Sequence, residues 1–110
     1  MALRHFDEES FQEALVSNQL MMVDFWATWC GPCQMLGPVI EQLAEEYEEE
    51  NVVIGKVDVD ENPAVAQRYG VMSIPTVIFF KEGEEFDRKV GTMSFEAYAD
   101  TLDEALEEEE

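Results

Sequence analysis

Apolar and polar positions divide the chain into segments of two periods. Leu20 to Ala27 is a nearly continuous apolar run, the pattern of a strand covered on both faces. Val52 to Val59 reads as another strand, and Thr76 to Lys81 and Glu85 to Val90 read as a hairpin around Glu82-Gly83. A short strand over Leu3 to Phe6 precedes a helix over residues 8–18, with Asp7 as N-cap and Phe11, Ala14 and Leu15 on one face. From Cys33 to Glu49 the positions Leu36, Ile40, Leu43, Ala44 and Tyr47 follow helical spacing. Pro38 lies inside that helix and should kink it, because it lacks one donor and crowds the preceding turn. Asn62 caps a short helix with Pro63 at its first position and Gly70 at its end. A last helix starts near its cap, Ser94, and buries Phe95, Tyr98, Leu102 and Leu106.

The order β-α-β-α-β-α-β-β-α places parallel crossovers first and a hairpin last. It predicts an α/β fold, a mixed five-stranded sheet with helices on both faces. A length of 110 residues suits one domain, and 46% hydrophobic residues can fill one core. The only low-complexity piece is EEEE at 107–110, an acidic tail behind a domain over 1–106.

Charge narrows the function. Six Lys+Arg stand against 26 Asp+Glu, formally −20. That field opposes nucleic acid, whose phosphates need cations, and anionic membrane surfaces alike. The opening MALRHFDEES has no apolar stretch of about 7–15 residues and does not read as a secretory signal. The run Val71 to Phe80 is too short for a membrane span and is broken by Ser73 and Pro75. The expectation is a soluble cytoplasmic protein, in which two cysteines point to redox chemistry or a metal.

Those cysteines, Cys30 and Cys33, stand three apart at a helix start with Gly31 and Pro32 between them. Side chains so spaced lie about 5–6 Å apart on one helix face, within disulfide reach. Unpaired N–H groups and the macrodipole favour a thiolate at Cys30, and Pro32 stiffens the turn. A zinc site needs about four ligands, and His5 is the only histidine. A structural disulfide closing so short a loop constrains little of the unfolded chain. Thiol–disulfide exchange fits best. Just upstream, Asp24 interrupts the apolar run: Met22 and Trp26 share its face, and Val23 and Phe25 take the other. With no polar face to occupy, its carboxyl should be buried and raised in pKa, a store for the proton of an attacking thiol.

The segments WCGPC, DVDENP (58–63), RYGVMSIPT (68–76) and Gly91 resemble the thioredoxin family over essentially the whole chain. The resemblance implies the thioredoxin fold, with three parallel and two antiparallel strands and four helices. It implies a protein-disulfide reductase with no cofactor beyond a Cys30–Cys33 disulfide. It makes Cys30 the nucleophile and Cys33 the resolving thiol, and assigns the proton relay to Asp24 with Lys56 as its electrostatic partner. Trp29, Val59, Ile74 and Gly91 would form an apolar rim, together with Gly31 and Pro32. Pro75 would follow a cis peptide bond that leaves Ile74 free to pair with an extended substrate segment. Partners would be disulfide-containing substrate proteins and a thioredoxin reductase, flavin-dependent or ferredoxin-linked, with the chain itself a monomer. Two other functions stay open: a redox-dependent binding module, and an oxidase or isomerase running the exchange in reverse.

Three positions depart from that family's pattern. Gln34 stands where Lys is common, Met72 where Arg is common, and Thr92 replaces a smaller residue. Missing cations should let the Cys30 pKa rise and weaken capture of acidic partners. Glu41, Glu45 and Glu49 fall at i, i+4 spacing, as do Glu46 and Glu50, and such like-charged pairs destabilise a helix. A plain solvated face, adaptation to high intracellular salt, and a designed or consensus sequence each account for them.

Overall fold

The computed structural model describes residues 3–17 and 20–108. Asn18, the last residue expected in the first helix, and Glu109 and Glu110 of the tail lie outside them. Five strands, β1 (Leu3–Phe6), β2 (Leu20–Trp26), β3 (Val53–Asp58), β4 (Thr76–Lys81) and β5 (Glu84–Val90), form one sheet in the order β1-β3-β2-β4-β5. β3 pairs in parallel with β1 and β2, whereas β2–β4 and β4–β5 are antiparallel. The helices are α1 (Glu8–Ser17), α2 (Gly31–Glu46), α3 (Pro63–Arg68) and α4 (Phe95–Glu108). α4 includes Glu107 and Glu108, the first two residues of the expected tail.

Because the sheet is covered on both faces, β2 has no polar side. Leu20 and Met22 join Leu36, Ile40 and Leu43 of α2 and Tyr98 and Leu102 of α4 in one cluster. Met21, Val23 and Phe25 join Phe11 and Leu15 of α1 and Val65 of α3 in the other. Phe6 reaches the second cluster across Gly55, where any Cβ would collide with its ring. The β4–β5 turn has Glu82 at φ 54° and Gly83 at φ 84°, the left-handed pair that a two-residue hairpin needs.

Several local expectations are corrected. Asn62 holds the N-cap position of α3 as expected, but its side chain makes no capping hydrogen bond: the buried carboxamide donates to the carbonyls of Asp58 at 3.2 Å and Phe6 at 3.5 Å. An amide sealed against backbone acceptors satisfies them better than one turned to a solvated helix end. α2 begins at Gly31, since Cys30 itself is the cap, and it stops at Glu46. Glu49 and Glu50 therefore lie beyond it, and only the Glu41–Glu45 pair is helical. Successive glutamates at a helix C-terminus oppose the macrodipole, and no basic residue in the last turn offsets them. In α4, Phe95 and Leu106 are only half-buried, and Ala99 and Ala105 fill the core beside Tyr98 and Leu102. The caps at Asp7 and Ser94 form as expected, Ser10 N–H donating to Asp7 Oδ1 at 2.8 Å and Ala97 N–H to Ser94 Oγ at 3.3 Å.

Candidate functional site

The C-terminal end of β2 and the N-terminal end of α2 meet at the cysteines. Cys30 and Cys33 form a disulfide with their Cα atoms 5.2 Å apart. Cys30 Sγ also accepts the Cys33 N–H at 3.2 Å and so caps α2, placing sulfur where the helix presents unpaired donors. Pro32 sits in the first turn, where its missing N–H costs nothing. Both sulfur-bearing residues are largely covered, Cys30 at 5% and Cys33 at 1% exposure. Gly31 and Pro32 are exposed over them, and a Cβ on Gly31 would meet nothing within 4 Å. Ala27, Cys30 and Cys33 form a small buried cluster with Trp26, Val59 and Ile74 packed against it.

Asp24 is completely buried, and neither carboxyl oxygen has a hydrogen-bond partner. It shares the sheet face of Met22, the face that α2 covers. Burial pushes its pKa from 3.8 up to about 7, opposed by the charge of Lys56. Lys56 is its register neighbour on β3, with the ammonium 4.1 Å from the centre of the Trp26 ring. No ion pair joins Lys56 to Asp24 among the described residues, so the lysine acts on the acid through space. Asp7 shows the contrast: hydrogen bonds from Ser10 hold its carboxyl below the usual value.

On the outer side, the Ile74–Pro75 peptide bond is cis, and the Ile74 carbonyl oxygen lies 3.8 Å from Cys30 Sγ. Gly91, at φ 87°, donates its N–H to the Pro75 carbonyl at 2.8 Å and brings the 91–93 segment alongside. Met93 N–H in turn donates to the Tyr98 hydroxyl at 3.1 Å. Trp29 is 70% exposed. Its place in an apolar rim is accompanied by a residue that the sequence reading did not single out, Asp60, whose carboxylate accepts the indole N–H at 2.6 Å. The Asp58 carboxylate accepts the N–H groups of Asp60 and Glu61 and shapes that loop. The signal available for Asp60 was its place in DVDENP, an acidic turn after a strand that ends beside β2. Gln34, standing in for a cation, donates its amide to the Thr28 carbonyl at 3.0 Å and braces the turn before Trp29.

The arrangement can exchange electrons through the two sulfurs and move a proton through Asp24. Comparison with known proteins identifies the family. The family model described as Thioredoxin matches residues 2–104. A thioredoxin of Chlorobaculum thiosulfatiphilum is 50% identical over 100 residues, covering 90% of this chain and 92% of that protein. One from Staphylococcus aureus is 50% identical over 94 residues, covering 86% and 89%. Among solved structures, a point mutant of a thioredoxin from Halobacterium salinarum superposes with a TM-score of 0.85 at 37% identity, covering 93% of this chain and 88% of that one.

Proposed function

Because the chain belongs to the thioredoxin family, protein-disulfide reductases that work through their own redox-active cysteine pair, we propose that Cys30 is its attacking thiol and Cys33 its resolving one. The observation that carries this assignment is the position of Cys30 Sγ. It caps the N-terminus of α2 and abuts the Ile74 carbonyl, whereas Cys33 is sealed beneath it. In the reduced protein the α2 N–H groups stabilise the Cys30 thiolate. That thiolate attacks a substrate disulfide; the substrate S–S bond breaks, a Cys30–substrate bond forms, and one substrate sulfur departs as a thiolate that takes its proton from water. Cys33 then gives its proton to Asp24 and attacks Cys30 Sγ, closing the internal disulfide and releasing the second substrate thiol. The substrate gains two electrons, the protein loses two, and a thioredoxin reductase returns them.

Asp24 suits the relay because an acid with a pKa of about 7 both accepts and returns a proton near neutrality. Lys56 keeps that value from climbing further. Trp29, Gly31, Pro32, Val59, Ile74, Pro75 and Gly91 form the docking face, on which the Ile74 backbone receives an extended substrate segment. The same reading makes the protein a cytoplasmic monomer that engages neither nucleic acid nor membranes, since a reductase works where thiols are kept reduced and −20 repels polyanions. Among the described residues no helix is long and apolar enough to cross a membrane.

The insulin assay with dithiothreitol tests the reading. Catalytic acceleration of insulin disulfide cleavage is the expected result. A protein that binds disulfide-bearing partners without accelerating their reduction would instead be a redox-dependent binding module.

A further inference from the structure

Each of the six cations of the chain has a partner in the fold, and only Lys56, beside Trp26, comes near the dithiol. Lys81, Arg88 and Lys89 pair with Glu108, Glu85 and Asp87. Arg68 donates to Gln12, Arg4 lies over the Phe6 ring, and Lys56 lies over Trp26. The face around the disulfide is instead apolar with carboxylates at one side. Trp29 is 70% exposed, Met93 39%, and Met72, two residues before Ile74, 94%. Asp60 is bonded to the Trp29 indole, and exposed Glu61 follows it.

This surface is continuous with the redox site, so its occupant is the polypeptide that carries the disulfide under attack. A cation beside that disulfide would meet the Trp29 ring face and the Asp60 carboxylate together. The flexible thioethers of Met72 and Met93 accept varied apolar side chains. An acidic segment would bring like charge to a chain at −20, and the nearest cation, Lys56, already lies over the Trp26 ring. We infer that the dithiol face selects substrate proteins whose disulfide is flanked by Lys or Arg and apolar residues, with Asp60 and Met72 as specificity-determining residues. The inference rests on Cys30 being the attacking thiol.

The test uses the reduced full chain and four peptides containing one identical disulfide loop. Three carry Lys, Gln or Glu pairs beside the disulfide, and the fourth carries its Lys pair at the far end of the peptide. Single-turnover oxidation is quenched with acid and followed by mass. At low salt the second-order rate constant should fall by about tenfold from flanking Lys through Gln to flanking Glu, and the spread should shrink at about 1 M NaCl. Asp60→Asn, which keeps an acceptor for the Trp29 indole but removes the charge, should compress the series. Met72→Arg should raise the flanking-Glu peptide above flanking-Lys. Equal rates for the three flanking peptides would overturn the inference. A remote-Lys rate equal to the flanking-Lys rate would also overturn it, because the preference would then belong to the whole chain's field. Failure to reduce any peptide would remove the disulfide-reductase reading itself, and the inference with it.

Discussion

The two ends of α2 carry the same kind of charge and experience opposite fields. At its N-terminus Cys30 Sγ accepts a backbone N–H, so negative charge on sulfur is drawn into the helix dipole. At its C-terminus Glu45 and Glu46 close the helix, Glu48, Glu49 and Glu50 follow, and the last turn holds no basic residue. The proposed mechanism places a thiolate at the first end, and the interior keeps an unpaired acid, Asp24, on the sheet face that α2 covers. The second end is merely repulsive, and the helix stops there. Charge is thus placed for chemistry at one end and tolerated by solvation at the other.

The largest expected effect separates the two sulfurs at the first end. Cys30→Ser should abolish insulin reduction, whereas Cys33→Ser should accumulate a mixed disulfide visible by non-reducing electrophoresis and mass. Wild-type turnover by Cys33→Ser would show that the resolving role lies elsewhere.

Next in size is Asp24→Asn. The folded acid has a pKa of about 7 against 3.8 in the unfolded chain, so burial of the neutral acid is not penalised below about pH 4. Between pH 4 and 7 the unfolded chain ionises first and stability is lost as pH rises; above pH 7 the loss is complete. Denaturant unfolding of the oxidised proteins should show the variant's advantage growing across that window and then levelling at roughly 4 kcal/mol. Its reduction rate should fall, because the amide takes up no proton. An advantage independent of pH would mean that Asp24 does not titrate in that window.

Salt probes the second end together with the rest of the acidic surface. The Debye length falls from about 30 Å at 0.01 M to about 3 Å at 1 M. The melting temperature should rise over that range by on the order of 10 °C, or about 2 kcal/mol for a chain this size, in NaCl and KCl alike. A melting temperature indifferent to chloride salts would remove self-repulsion as a destabilising force. Lys56→Met should have a subtler consequence, moving the pH midpoint of the Asp24-dependent stability upward because the opposing charge is gone. The smallest effect belongs to the helix end itself. Glu48→Lys should stabilise by about 0.3–1 kcal/mol at low salt and by less at high salt; an equal gain at both would rule out the dipole as its source.

Much of this was legible from residues alone, because local chemistry sets it. The alternation at β2 left Asp24 no polar face, and that parity fact survives any arrangement of neighbours. The Cys30-Gly-Pro-Cys33 spacing fits a helix start by geometry, and Glu82-Gly83 demanded left-handed backbone at the hairpin. What sequence could not supply depends on which distant backbone groups arrive nearby. Asn62 takes the cap position, yet its side chain leaves the helix end uncapped and donates its amide to the carbonyl of Phe6, 56 residues away. Asp60 became part of the site only because the loop after β3 reaches the Trp29 indole. Parity, spacing and turn preference are properties of a few consecutive residues; partner choice for a polar group is a competition settled after the sheet has assembled.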